Sequence, residues 1–211
     1  MYSLALISLY LFEFMNRELL GLDCSKGATS KLVSSTHAFL TSIATLTYLY
    51  QYISLVFFRH LVMISIGYVI YDSHNLYRNR HRDRHILYLH HFFIIVGIIY
   101  CDYYSDIRYY KLLAINYLSE ISAIFINFTM FLYETKRTHY KLFHISSWVL
   151  LGTFFFTRIL AGLWCIFHIY YLKSNMIYFQ IILTCMNFYW FGKFTQKYIK
   201  IYRLNNDKKL S

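Results

Sequence analysis

Not one of the 211 residues is proline, and only 15% carry a charged side chain. A soluble domain of this length holds roughly 25% charged residues and ~5% proline. So little charge, beside 58% hydrophobic and 21% aromatic residues, excludes a water-soluble globular domain. The mean hydropathy of +0.38 agrees. The chain reads as a polytopic membrane protein with one membrane domain. Without proline its helices lack proline kinks. The 23 Tyr and 19 Phe beside that lack fit an AT-rich coding bias. No C-x-x-C spacing joins the four cysteines, Cys24, Cys101, Cys165 and Cys185. They read as free, buried thiols, and neither a metal site, a disulfide framework nor a cofactor is expected. Residues 1–16 lack the basic leader and the small-residue cleavage site of a signal peptide. The one N-x-S/T match, at Asn127, falls inside an apolar segment, which argues against glycosylation.

What the chain does have is seven apolar stretches bounded by charge, over approximately 1–16, 36–57, 60–77, 86–104, 112–133, 145–172 and 176–193. Most reach the ~20 residues that cross a hydrocarbon core as helix, and they are too long for barrel strands. The first is short and holds Glu13, which leaves its spanning open. Alternate loops divide the basic residues unequally: 16 Lys and Arg fall on one side and 4 on the other, with Arg158 inside a span. Short loops rich in Lys and Arg stay in the cytosol, so the C-terminus and the loop 78–85 are expected there. Arg78, Arg80, Arg82 and Arg84 in that loop set topology first and offer a phosphate or anionic-lipid contact second. Their place at a membrane edge, without a nucleic-acid-binding motif, excludes DNA and RNA as partners despite a net charge of +11.

The run ILYLHHFFIIVG, residues 86–97, sets two adjacent imidazoles among apolar side chains. Such groups are costly to desolvate and need partners. At about 1.5 Å per helical residue, His90 and His91 lie roughly 8 Å below the cytosolic edge. Asp72, Asn127 and Asn187 fall at the same depth on three other helices. His90, His91 and Asp72 are therefore candidate catalytic residues, and Asn127 and Asn187 candidate lining of the same polar layer. An imidazole there could attack a thioester carbonyl or act as its general base, with Asp72 holding the tautomer. Adjacent helical residues point about 100° apart. One histidine is thus expected to face a ligand and the other to bond Asp72 or Asn127. Glu120 and Arg158 lie deeper, roughly 20 Å from the edge on consecutive antiparallel helices, and are expected to form an intramembrane ion pair.

Several segments, in order, resemble a TLC domain, the membrane domain of the TRAM, Lag1 and CLN8 proteins. They are SSTHAFLTSIATL (34–46), SIGYVIYD (65–72), LHHFFIIVGIIY (89–100), YLSEISAIFINF (117–128), FFFTRIL (154–160) and MNFYWFGK (186–193). Their flavour is closest to the TLC-domain-containing, transmembrane protein 56-like group. The resemblance implies an all-α integral membrane fold: six helices bundled around a lipid-accessible cavity, with one extra N-terminal helix outside. In ceramide synthases the paired histidines take part in acyl transfer from acyl-CoA, and a later helix carries H-D-x-x-D-x-x-L-E. Laid on this chain, that pattern puts Ser119 at the histidine, Glu120 at the first Asp, Ala123 at the second and Asn127 at the Glu. His90 and His91 survive and the later acids mostly do not, which counts against that reaction.

The expectation is an N-terminal segment and loop over 1–33, a TLC domain over 34–199 and a basic tail over 200–211. The function expected is binding of lipid or acyl chains with an influence on membrane lipid composition. The alternatives are a lipid acyltransferase using His90 and His91 on acyl-CoA, and a non-catalytic interaction or chaperone-like protein. Membrane lipids are the expected partners, with a homo-oligomer left open. The expected location is the endoplasmic reticulum or another cellular or viral membrane.

Overall fold

The computed structural model describes residues 2–20, 26–78, 84–104 and 106–210, and among them there are helices and short turns but no strand. The helices are α1 (Tyr2–Leu20), α2 (Lys26–Leu49), α3 (Leu55–Arg78), α4 (Arg84–Tyr104), α5 (Ile107–Tyr117), α6 (Ser119–Glu134), α7 (Lys141–Phe154), α8 (Ala161–Tyr171) and α9 (Met176–Leu210). A π-helical turn, Phe155–Leu160, joins α7 to α8. Leu118 interrupts α5 and α6 while keeping right-handed helical angles. Neither irregularity involves proline.

Among the described residues four stretches, Leu55–Arg78, His85–Tyr104, Ile107–Glu134 and Lys141–Tyr171, are long and apolar enough to cross a membrane. The sequence itself has seven apolar stretches. The remaining three, α1, α2 and α9, are helical but carry more polar side chains. In α2 these are absorbed locally: the hydroxyls of Thr41 and Ser42 donate to the carbonyls of His37 and Ala38, each at 2.7 Å. Such i to i−4 bonds let hydroxyl side chains sit inside a helix.

With glycine scarce (seven in the chain), three helices end on other residues in the left-handed region. Gln51, Lys136 and Lys173 have φ of 63°, 58° and 50°. Each sits at a Schellman closure, for example Arg137 N–H to the Leu132 carbonyl at 2.9 Å beside Lys136 N–H to the Tyr133 carbonyl at 3.1 Å.

In packing order α3 touches α2 and α4, α4 touches α9, α9 touches α8 and α7, α7 touches α6, and α6 returns to α2. The largest core cluster joins Tyr48, Phe58, Met63, Ile98, Tyr110 and Tyr117. Outer faces carry exposed Leu6, Phe39, Trp148, Phe156 and Phe167, as surfaces that meet hydrocarbon do. Helix α1 lies on α3, where Ser8 Oγ donates to the Ile64 carbonyl at 3.0 Å. The approach is close: a Cβ at Gly67 would collide with Ser8 Oγ and the Ala5 carbonyl.

One end of the molecule gathers basic residues. Lys31 at the start of α2 pairs with Glu134 at the end of α6 at 2.8 Å, and Asn205 on α9 donates to the Thr138 carbonyl at 2.8 Å. At the opposite end Arg59 meets Asp102, which also accepts from the Tyr110 hydroxyl at 3.0 Å. There Asp106 caps α5, accepting from Arg108 N–H at 2.8 Å, and the Arg108 guanidinium holds its carboxyl below the ordinary value.

Candidate functional site

Helix rotation separates the two histidines. His91 is buried and turns towards α3, with Nε2 3.3 Å from the Asp72 carboxylate and Nδ1 2.7 Å from Ser73 Oγ. Both of its ring nitrogens are thereby engaged. His90 turns the other way and lines a cavity of about 100 Å³ between α4, α5, α6, the π turn and α9.

The cavity wall is graded along its length. Around His90 stand Ser119, Glu120, Arg158 and Asn187. Further along α4 the wall carries no charge and is mostly apolar: Ile94, Gly97, Cys101, Leu112, Ile169 and Phe179 line it, with Asn116 and Gln180 as polar members bonded to each other. From position 90 to 101 the helix rises roughly 16 Å, so a ligand lying in it would meet charge at one end and hydrocarbon at the other.

Glu120 and Arg158 both line this cavity, yet the expected direct ion pair is not the contact made. Arg158 Nε donates to Ser122 Oγ at 2.7 Å and a terminal nitrogen donates to the Ser119 carbonyl at 3.1 Å. Glu120 instead has His37 Nδ1 at 3.9 Å. The reason is local: the π turn around Arg158 changes the direction of its side chain, which reaches the Ser122 hydroxyl and the Ser119 carbonyl at the start of α6. The two charges still act on each other across the cavity.

The two depth layers also merge. Asn187, assigned to the shallow layer, donates to the carbonyl of Arg158, assigned to the deep one, at 3.5 Å. Counting residues from charged boundaries ignores helix tilt and the extra residue of a π turn, and both shift true depth. Asn127 is not among the residues lining the cavity. Arg78 is exposed, Arg80 and Arg82 lie outside the described residues, and the side chain of Arg84 is likewise outside the description. Cys101 and Cys165 are buried free thiols, whereas Cys185 is free but exposed; Cys24 lies outside the described residues. Among the described residues no three His, Cys, Asp or Glu side chains gather as a metal site.

Three site residues escaped the sequence reading. His37 is 3% exposed, bonds Ser65 Oγ at 3.1 Å and stacks on Tyr68 at 3.8 Å. Asn116 and Gln180 exchange two amide hydrogen bonds across the cavity wall, both 3.0 Å. The available signal was the same as for the histidine pair: a lone polar group inside an apolar run must find a partner.

An all-helical multi-pass membrane chain with buried charge around an internal cavity is thus the class of protein defined here. Its family follows from comparison: a TLC-domain family model matches residues 28–196, and the chain belongs to the TLC-domain family of TRAM, LAG1 and CLN8 proteins. Among curated proteins and among solved structures, none matches the chain.

Proposed function

We propose that the chain is a lipid-binding TLC protein, close in kind to the transmembrane protein 56-like group, whose cavity takes the polar end of an amphiphile beside His90. The observation that carries this is the graded wall, charged at Glu120 and Arg158 and, apart from the mutually bonded Asn116 and Gln180, apolar towards Ile169 and Phe179. A volume of about 100 Å³ holds a few water-sized groups of ~30 Å³ each, so a chain must continue along the apolar wall towards the bilayer. The packing order that returns from α6 to α2 supports a bundle of six, with α1 outside it. The uneven loop charges support a cytosolic C-terminus, and the meeting of Lys31 and Glu134 places two of those basic segments at one end.

Acyl transfer is the weaker reading. A general-base imidazole needs an orienting partner, and Asp72 is committed to His91 rather than to His90. The deciding experiment purifies the protein in mild detergent, identifies retained lipids by mass spectrometry and offers acyl-CoA. Binding predicts a lipid that wild type and Glu18→Gln retain and His90→Ala loses, without acyl-CoA consumption. Turnover of acyl-CoA that His90→Ala abolishes would replace binding by catalysis. Retention of the same lipid in His90→Ala would remove the cavity from the account.

A further inference from the structure

A second, smaller cavity of about 30 Å³ lies away from the first, between α6, α7 and α9. Phe143, Leu150, Leu151 and Phe194 make its wall, and one charged residue, Lys197, borders it. The ammonium of Lys197 sits 3.8 Å from the centre of the Tyr133 ring and 3.8 Å from Met130 Sδ. These are soft contacts, and a half-buried ammonium ordinarily takes a carboxylate. The nearby carboxylate, Glu134, is held by Lys31 at 2.8 Å. Lys197 thus forms no ion pair among the described residues; Glu134 acts on it only from beyond contact, and Lys31 and Lys193 add positive charge around it. Lys197 is itself only partly buried and the Tyr133 beside it is exposed, so the slot opens to the outside of the bundle. His144, Trp148, Tyr198 and Tyr202 pack together beside it, the aromatic belt typical of a membrane–water boundary.

We propose that this cavity is a site for an acidic phospholipid, its phosphate on Lys197 and its acyl chain against Phe143, Leu151 and Phe194. A fixed amine between an apolar slot and a basic helix end matches a lipid whose charge and hydrocarbon are joined. A free phosphate finds no use for the slot, and a zwitterionic head brings an ammonium against Lys31 and Lys193. The site is independent of the His90 cavity.

The test uses the full chain in nanodiscs with photoactivatable phosphatidylglycerol or phosphatidylcholine, the reactive group on the acyl chain. Labelled peptides from α7, which lines this slot and not the first cavity, are then quantified. The expected preference for phosphatidylglycerol is about fivefold, the factor one lysine contributes beside an acidic headgroup. Lys197→Gln is expected to lose it, while Arg108→Gln, a change at an exposed arginine that lines neither cavity, keeps it. Leu151→Phe, which fills the slot without touching charge, is expected to remove the label even if Lys197→Gln folds poorly. Equal labelling by both lipids, labelling retained in Lys197→Gln and Leu151→Phe, or an equal loss in Arg108→Gln would overturn the site. So would labelling by a photoactivatable fatty acid alone, or displacement by soluble glycerol phosphate.

Discussion

Two glycines mark two opposite kinds of helix interface in this protein. At Gly67 the backbones of α1 and α3 come so close that an added Cβ would strike Ser8 Oγ and the Ala5 carbonyl. At Gly97 on α4 the same Cβ would meet only Met176 Cε at 3.9 Å. The first glycine permits contact and the second borders a cavity. Small residues in membrane helices are often read as sites of close packing. Here that reading holds for one and fails for the other, because Gly97 faces the cavity wall and a flexible methionine tip rather than another backbone.

The sharpest way to break this comparison is to add one methyl group at each place. Gly67→Ala should cost about 3 kcal/mol, the upper end for overpacking, because backbone rather than a side-chain tip is in the way. Gly97→Ala should leave thermal unfolding in detergent near wild type. Equal melting temperatures for the two variants would mean that α1 can slide, and the tight interface would lose its meaning.

The two histidines extend the contrast from backbone to polar groups. Asp72→Asn or His91→Ala should each cost about 2 kcal/mol, since either leaves a buried partner unsatisfied. His90→Ala should leave stability unchanged, because His90 faces the cavity rather than a neighbour. A stability loss in His90→Ala as large as in His91→Ala would show that both are struts.

A smaller effect is expected across the cavity. In a double-mutant cycle, Glu120→Gln and Arg158→Leu should couple by less than about 1 kcal/mol, since the groups act at a distance and not as a bonded pair. Coupling of several times that size would restore the direct ion pair. At the α6–α7 junction, Lys136→Gly should raise stability by up to about 1 kcal/mol, because glycine occupies the left-handed region without a Cβ penalty.

The smallest effect lies outside both interfaces and serves as their reference. The Asp106 carboxyl is held below its ordinary value by Arg108. Its contribution is therefore present above the unfolded-state value near pH 4 and lost as pH falls through the lower folded value. Below about pH 4 the melting temperature of wild type should fall slightly more than that of Asp106→Ala. Parallel curves would mean the cap contributes nothing.

Membrane character, all-helical structure and family were legible in the residues alone. Hydropathy and loop charge are sums over neighbouring residues, and a helix that satisfies its own backbone needs no distant partner. The ordered segments from SSTHAFL to MNFYWFGK match a domain pattern for the same reason. The histidine pair announced a polar site because two imidazoles in an apolar run are stable there only with polar partners close by.

Only the tertiary structure decided which groups meet. Rotation of about 100° per residue assigned His91 to Asp72 and His90 to the cavity. An extra residue in the π turn sent Arg158 to Ser122 and Ser119 instead of Glu120. The reciprocal bonds of Asn116 and Gln180, the burial of His37 and the slot beside Lys197 all join residues far apart in the chain. Local sums carry no information about facing, because facing depends on the tilt, rotation and irregular turns that packing imposes on every helix at once.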